Sequence, residues 1–307
     1  MVRPANVHGL VVIDKPAGIT SHDVVSRCRK IFGQRQVGHA GTLDPDATGV
    51  LLVGLGDATR LLRYLSESQK SYRATVCFGT ATSTLDAAGA VTETVEMHVT
   101  DAQIRDATHQ FCGAIEQIPP MVSAIKIDGK RLHELARAGV EVERKARPVT
   151  IHRIDVEATQ CDAQPQTATM VVECSSGTYI RTLAADLGGA LGGVAHLQVL
   201  RRLSVGSFAE HESRSLELVA QLGVGAVLSP ADAVRSMPRL EPTAEQVAKI
   251  SNGSTFSSAE FLSESLMDHP GPFAVHNVRG ELIAVYERRD DPRGVKPAVV
   301  LAHAVAQ

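Results

Sequence analysis

The sequence predicts an α+β fold, and three observations carry that expectation. Strand-like and helix-like segments mix along the 307 residues without the regular alternation that a doubly wound sheet requires. One segment, Tyr72 to Phe78, alternates with the period of a half-buried strand. The last roughly 70 residues carry several short apolar runs that read as strands, after a break near Pro238.

Taken in order, Gly9-Leu10-Val11-Val12-Ile13 is an apolar run read as a buried strand, and Asp14-Lys15-Pro16-Ala17-Gly18 breaks it. Thr20 or Ser21 can cap the helix that follows. In that helix Val24, Val25, Cys28, Ile31 and Phe32 share one face, while Arg27, Arg29 and Lys30 fall elsewhere. A glycine-rich loop spans about 38–49. In the next strand Tyr72, Ala74, Val76 and Phe78 take one side and Arg73, Thr75 and Cys77 the other. Asp128-Gly129 marks a tight turn, and a helix is expected from Arg131 to Ala138 with Gly139 past its end. Thr169 to Cys174 reads as a strand and Ser175 to Thr178 as a turn. Ile180, Leu183, Ala184 and Leu187 trace the apolar stripe of another helix. Beyond Pro238, Thr243 and Gln246 form a capping box, Gly253 closes the helix, and 273–275, 282–286 and 298–301 read as strands. The expected organisation is therefore 1–237 and 238–307. The second unit is small enough that it should pack on the first.

Composition bounds the function. Hydrophobic residues make up 44% and charged residues 21%, which suits a globular protein that buries a core. A net charge of -3 argues weakly against nucleic-acid binding, but charge is unevenly placed. Arg27, Arg29, Lys30 and Arg35 cluster early. Lys126, Lys130, Arg131, Arg137, Arg144, Lys145 and Arg147 cluster in the middle, and Glu260, Glu264, Asp268, Asp290 and Asp291 make the C-terminal part acidic. Charge alone reads these as solvated faces. The five cysteines are widely spaced with no Cys-x-x-Cys, so a disulfide framework or zinc site is not expected and a reducing compartment fits. No signal-like N-terminus or membrane-spanning apolar run is visible, and a cytoplasmic location is expected.

Asp44 stands before Pro45, which pushes it toward an extended backbone. Gly38, Gly41 and Gly49 permit unusual angles or close approach of a ligand. Such an aspartate can act as nucleophile or general base. Taken alone it reads better as a turn residue bonding to nearby backbone. The surrounding run decides the matter. Gly38-His39-Ala40-Gly41-Thr42-Leu43-Asp44-Pro45, continuing to Leu51, resembles the signature of the TruB family of pseudouridine synthases. Further motifs resemble the family in order: Asp14 to Ser21, Lys70-Ser71-Tyr72, Pro119 to Gly139, Gly177 to Leu183, and Leu200-Arg201-Arg202. The resemblance covers about residues 9–207. Val122 and His133 depart from it, standing where the family carries aromatics, and 238–307 is only loosely similar to the family's PUA-type RNA-binding domain.

The resemblance implies a pseudouridine synthase fold: a mixed, largely antiparallel central sheet with flanking helices, followed by a small β-rich PUA-like domain. It implies isomerisation of uridine-55 in the T-loop of tRNA, with Asp44 as catalytic residue and the target base flipped out of the RNA. That reaction calls for no cofactor and no metal. The substrate partner is the tRNA T-arm, with no membrane, no obligatory protein partner and no guide RNA, and a monomer is expected. Tyr72 would stack on the uracil, though its pattern alone reads as a core tyrosine. Tyr179 and Leu200 would line the same pocket, and His39 would fill the gap left by the flipped nucleotide. Arg181 lies in the first turn of an expected helix, the wrong end of the dipole for a cation, so the residues alone suit a compensating acidic partner and an exposed arginine equally, and the resemblance of its Tyr-Ile-Arg-Thr motif favours the partner. By the resemblance that partner is Asp44, which Arg181 would keep charged. Lys15 reads as structural or phosphate-contacting, and His22 and Asp46 as structural. Two other readings compete: an RNA-binding module without chemistry, and a glycoside hydrolase using Asp44 and Asp46. The latter spacing is too short for two carboxylates flanking one bond.

Overall fold

The computed structural model describes residues 6–123, 126–127, 130–131, 140, 142–289 and 294–301. Its centre is a mixed sheet whose main path runs, in spatial order, Gly9–Lys15, Thr48–Leu55, Ala195–Val205, Lys70–Phe78, Thr167–Cys174, Arg147–Gln160 and Gly113–Gln117. Only the Thr48–Leu55/Ala195–Val205 pair is parallel; the others are antiparallel. The short strand Val37–Ala40 pairs antiparallel with Thr48–Leu55. Helices Ser21–Ile31, Asp101–His109 and Ile180–Ala190 flank the sheet, each burying the apolar positions that the helical period brings to one side. The α+β class and the mixed, largely antiparallel sheet agree with the sequence reading.

A second, five-stranded sheet follows in the order Arg239–Leu240, Phe273–His276, Leu282–Arg288, Gly294–Val300 and Phe256–Ser257. Helix Ala244–Ser251 follows the strand Arg239–Leu240 and carries the expected Thr243–Gln246 capping box. This sheet shares one apolar seam with the first. Leu10, Val12, Leu52, Leu61 and Phe208 belong to the same buried cluster as Ile250, Phe273, Ile283, Tyr286 and Val299. Each such side chain contributes roughly 1.5–3 kcal/mol when fully buried. Polar contacts fix the alignment: Arg60 Nη1 donates to Val300 O at 2.6 Å, and Tyr64 OH donates to Glu287 Oε1 at 2.7 Å.

The glycine-rich stretch is shorter as a loop than its composition suggests. Gly38, His39 and Ala40 pair with Gly54, Val53 and Leu52, and Thr48-Gly49 already belongs to a strand, so the loop proper is 41–47. Of the two candidate caps, Thr20 caps helix Ser21–Ile31, accepting from Asp23 N at 3.0 Å. Ser21 is released for another task, described below. The Asp128-Gly129 turn lies outside the described residues, but the strands on either side of it, Lys126–Ile127 and Lys130–Arg131, pair antiparallel. The helix expected from Arg131 begins instead as a strand residue, and 132–139 lie outside the described residues.

Candidate active site

The loop 41–47 is held from three directions, by two residues of the Asp14–Ser21 motif and one of the Leu200–Arg202 motif. Arg202, fully buried, donates to Gly41 O at 3.1 Å, Thr42 O at 3.5 Å and Val50 O at 2.7 Å. Ser21 Oγ accepts from Leu43 N at 2.9 Å and donates to Leu43 O at 3.2 Å. Lys15, also fully buried, donates to Pro45 O and Ala47 O, both at 2.7 Å, and to Pro16 O at 2.9 Å. Gly18 N adds a further bond to Pro45 O at 3.0 Å. The carbonyls on both sides of Asp44 are thus tied to buried side chains, which leaves its carboxylate as the free end of a rigid segment. Of the two readings of Lys15, structural or phosphate-contacting, its three bonds to backbone carbonyls favour the structural one.

Gly49 makes that grip possible. It sits at φ +102 opposite Arg202, and a β carbon there would lie 2.2 Å from Arg202 O and 2.8 Å from Arg202 N. Any L residue would separate the strands at the point where they meet in parallel. Gly49→Ala is expected to cost about 3 kcal/mol or more of folding stability, read as the shift of a urea unfolding curve. An unchanged midpoint would show that the backbone yields there.

Asp44 meets Arg181 through both oxygens: Nε to Oδ2 at 3.0 Å and Nη2 to Oδ1 at 3.2 Å. Such a forked pair is directional as well as charged. Arg181 is the second residue of helix Ile180–Ala190, as the sequence indicated, and its side chain is only 5% exposed. Its remaining donors are also used. Nη1 faces Asp86 Oδ2 at 3.4 Å and Thr84 O at 3.2 Å, and Nη2 donates to Val122 O at 2.8 Å. Burial pushes the Asp44 carboxyl above its ordinary value; Arg181 draws it back down and Asp86 pushes it further up. Arg181 thus acts in the expected direction, favouring the charged form of Asp44, while burial opposes it more strongly. Even so, 39% of the Asp44 side-chain surface remains open to the cleft.

Asp86 is a second carboxylate on Arg181 that the sequence did not single out. It lies just after Leu85, which has φ +62, an unusual angle for a leucine. The segment is fastened to strand Ala195–Val205 through Leu197 N to Leu85 O and Ala87 N to Leu197 O, both 3.0 Å. Asp86 Oδ1 accepts from Thr84 Oγ1 at 2.5 Å and Ala88 N at 3.1 Å, so its other oxygen points to the arginine in a fixed orientation.

Five of the six residues singled out from the sequence line one cleft of about 240 Å³: Asp44, Tyr72, Tyr179, Arg181 and Leu200, with Lys70 and Arg202 beside them. Tyr72 is 7% exposed and shares the buried side of its strand with Ala74, Val76 and Phe78, so it belongs at once to the core and to the cleft wall. Burial raises its hydroxyl pKa above the ordinary value, opposed by neighbouring Arg202. Tyr179 stands at the N-cap of helix Ile180–Ala190. Gln117 pins its backbone in both directions, accepting from Tyr179 N at 2.9 Å and donating to Tyr179 O at 3.2 Å. Burial raises this phenol as well. His39 is the exception. It lies on strand Val37–Ala40, does not line the cleft, and presents its ring edge-on to His22 at 6.4 Å between centroids. Its Nδ1 is buried without a hydrogen-bond partner, and burial lowers its pKa.

Residues 29–180 match the model of the TruB family pseudouridylate synthase N-terminal domain, and 181–232 match the tRNA pseudouridylate synthase B C-terminal domain. A protein of Mycobacteroides abscessus named tRNA pseudouridine synthase B is 48% identical over 262 residues, covering 84% of this chain and 88% of its own. Proteins of the same name from Mycobacterium leprae and Thermobifida fusca are 45% and 42% identical, covering 95% and 96% of this chain and 90% and 98% of theirs. Among solved structures, a Cbf5–Nop10–Gar1 complex contains a chain that superposes with a TM-score of 0.75 at 24% identity, covering 97% of this chain and 87% of that one, a likeness of fold. With both family models matched in sequence and relatives aligned over most of its length, the chain belongs to the TruB family of pseudouridylate synthases.

Proposed function

We propose that this tRNA pseudouridine synthase isomerises uridine-55 in the T-arm, with Asp44 as the carboxylate that engages the flipped nucleotide. The observation that carries the reading is the forked Asp44–Arg181 pair on a cleft wall shared with Tyr72, Tyr179 and Leu200. A cleft of about 240 Å³ is of a size for one base and not for a duplex. The uridine must therefore leave its stack, and Tyr72 offers a ring for it; stacking of this kind contributes about 1–3 kcal/mol. Asp44 then acts at the ribose or the uracil, the bond between them breaks, and the base rotates and rejoins through C5. His39, outside the cleft, takes the place that the base vacates. The protein acts alone on tRNA, as a monomer in the cytoplasm, without guide RNA or partner protein.

An unmodified tRNA transcript incubated with the pure protein tests the reading. Pseudouridine should form at position 55 and nowhere else, and a transcript carrying cytidine there should yield none. Modification at another site, or only after another protein or RNA is added, would overturn the specificity.

The unit 238–307 is read as an RNA-binding domain that, with the basic clusters, lengthens the grip on tRNA. Arg27, Arg29 and Lys30 are exposed on helix Ser21–Ile31; the side chains of Lys126, Lys130, Arg131 and Arg137 lie outside the described residues. If these clusters hold phosphates, tRNA affinity should fall by about 10²-fold between 50 and 200 mM salt. A flat response in a filter-binding titration would remove that assignment.

A further inference from the structure

Lys70 carries a charge that the reaction described above does not use. Its ammonium is buried in the cleft wall and donates to Ser66 O at 2.8 Å and Ser68 O at 2.7 Å. Both acceptors are neutral, and among the described residues no carboxylate forms an ion pair with it. Arg202 next to it is fully buried and likewise spends its donors on backbone carbonyls. A β carbon at Gly41 would stand 3.5 Å from Lys70 Cε and 3.5 Å from Arg202 Nη1. Two cations therefore lie together beneath the loop that carries Asp44.

The groups facing Lys70 sharpen the point. They are Tyr72 on its own strand, Cys174 on strand Thr167–Cys174, Arg202 on strand Ala195–Val205, and Asp44 across the cleft. Burial raises both Tyr72 and Cys174, the latter to about 11, so neither is an anion at neutral pH. Asp44 is already engaged by Arg181. Placing two cations out of water without a counter-ion is costly. A site bears that cost where an anion arrives during the reaction.

We propose that Lys70, with Arg202 beside it, supplies the positive potential that stabilises the negative charge on the uracil ring once its bond to ribose has broken. The inference rests on the isomerase reading. When the C1′–N1 bond breaks, its electron pair leaves on the ring: the detached uracil is an anion, and C1′ is left as an oxocarbenium ion or as an ester of Asp44, a cation that is quenched or a bond that breaks, freeing the carboxylate, when C5 attacks. When C5 bonds to C1′, an electron pair of the ring forms that bond; C5 gives up its proton and N1 gains one, and the charge is gone. The field is thus needed in the middle of the reaction and at neither end, which is the condition for raising kcat without tightening tRNA binding.

Single-turnover pseudouridine formation by Lys70→Met and Lys70→Arg tests this. Lys70→Met should be slower by about 10²-fold at neutral pH, with tRNA affinity unchanged within about twofold, and Lys70→Arg should recover most of the rate. Burial lowers the Lys70 pKa to about 8, so the wild-type rate should fall as pH rises through that value and Lys70 loses its proton. Lys70→Arg, which keeps its charge, should not show that fall. Lys15 also titrates near 8, and a fall caused by Lys15 would persist in Lys70→Arg. A Lys70→Met rate within about threefold of wild type, a loss matched by lost tRNA affinity, or a fall that survives in Lys70→Arg overturns the inference. If Lys70→Met does not fold, the pH profile of Lys70→Arg decides. An inactive Asp44→Asn beside an active Lys70→Met would sink this inference alone; an active Asp44→Asn would sink the reading beneath it.

Discussion

Replacing Asp44 by Asn is expected to reduce pseudouridine formation by about 10⁴-fold or more, while tRNA binds with nearly wild-type affinity. The substitution keeps size and shape in a loop whose carbonyls are fixed by Arg202, Ser21 and Lys15, so the segment should hold its path. What disappears is the charge, and with it the group that can bond to the substrate or take its proton. Single-turnover nucleoside analysis gives the rate, and a filter-binding titration gives the affinity. Equal losses in both would point to a damaged binding surface.

Arg181→Met is expected to be damaging to a smaller degree, and for a different reason. Arg181 faces Asp44 on one side and Asp86 on the other, and removing it leaves two carboxylates in a buried corner. Two consequences follow from the sign of the charge. Asp44 already titrates above its ordinary value through burial, and without its cation it should rise further. Since only ionised Asp44 is active, the rate should fall as pH drops through a higher pH than in wild type. At neutral pH a loss of about 10²-fold is expected. Stability should move the opposite way with pH. A carboxyl whose folded pKa lies above its unfolded one binds its proton more tightly in the fold, so stability is gained as pH falls and lost as it rises. The variant should be less stable by about 3 kcal/mol at neutral pH and recover part of that on mild acidification. Urea unfolding at a series of pH values measures this. Arg181→Lys should recover only part of the activity, because an ammonium cannot fork onto both oxygens.

The sequence made Asp44, Arg181 and Tyr72 legible for local reasons. Each stands in a contiguous motif, and Arg181 was already conspicuous as a cation at a helix start. The wider architecture was less legible. Strands Arg147–Gln160 and Ala195–Val205 each carry two register shifts, after Ile151 and Val156 in one and after Leu197 and Arg202 in the other. Each shift resets the inside–outside alternation, so no sustained period of two survives for a reader to find. Thr48–Leu55 is hidden differently: Gly49 to Leu55 are all buried, and a run without alternation is silent about its pairing. Asp86 is silent in the sequence because its local bonds to Thr84 and Ala88 are those of any turn aspartate, and only the tertiary fold brings it to Arg181. Ser21 was a candidate cap until the fold gave that place to Thr20, and only the tertiary structure brings it to Leu43.

The central claim is that Asp44 drives an isomerisation and not a hydrolysis or simple binding. Tritium release from tRNA labelled at uracil C5 addresses it most directly, because that hydrogen leaves only when C5 takes up the new bond to ribose. The wild-type protein alone should release one equivalent of tritium per tRNA with no free uracil, and Asp44→Asn should release none while still binding the tRNA. Tritium release by Asp44→Asn at the wild-type rate, or free uracil as the wild-type product, would contradict the account.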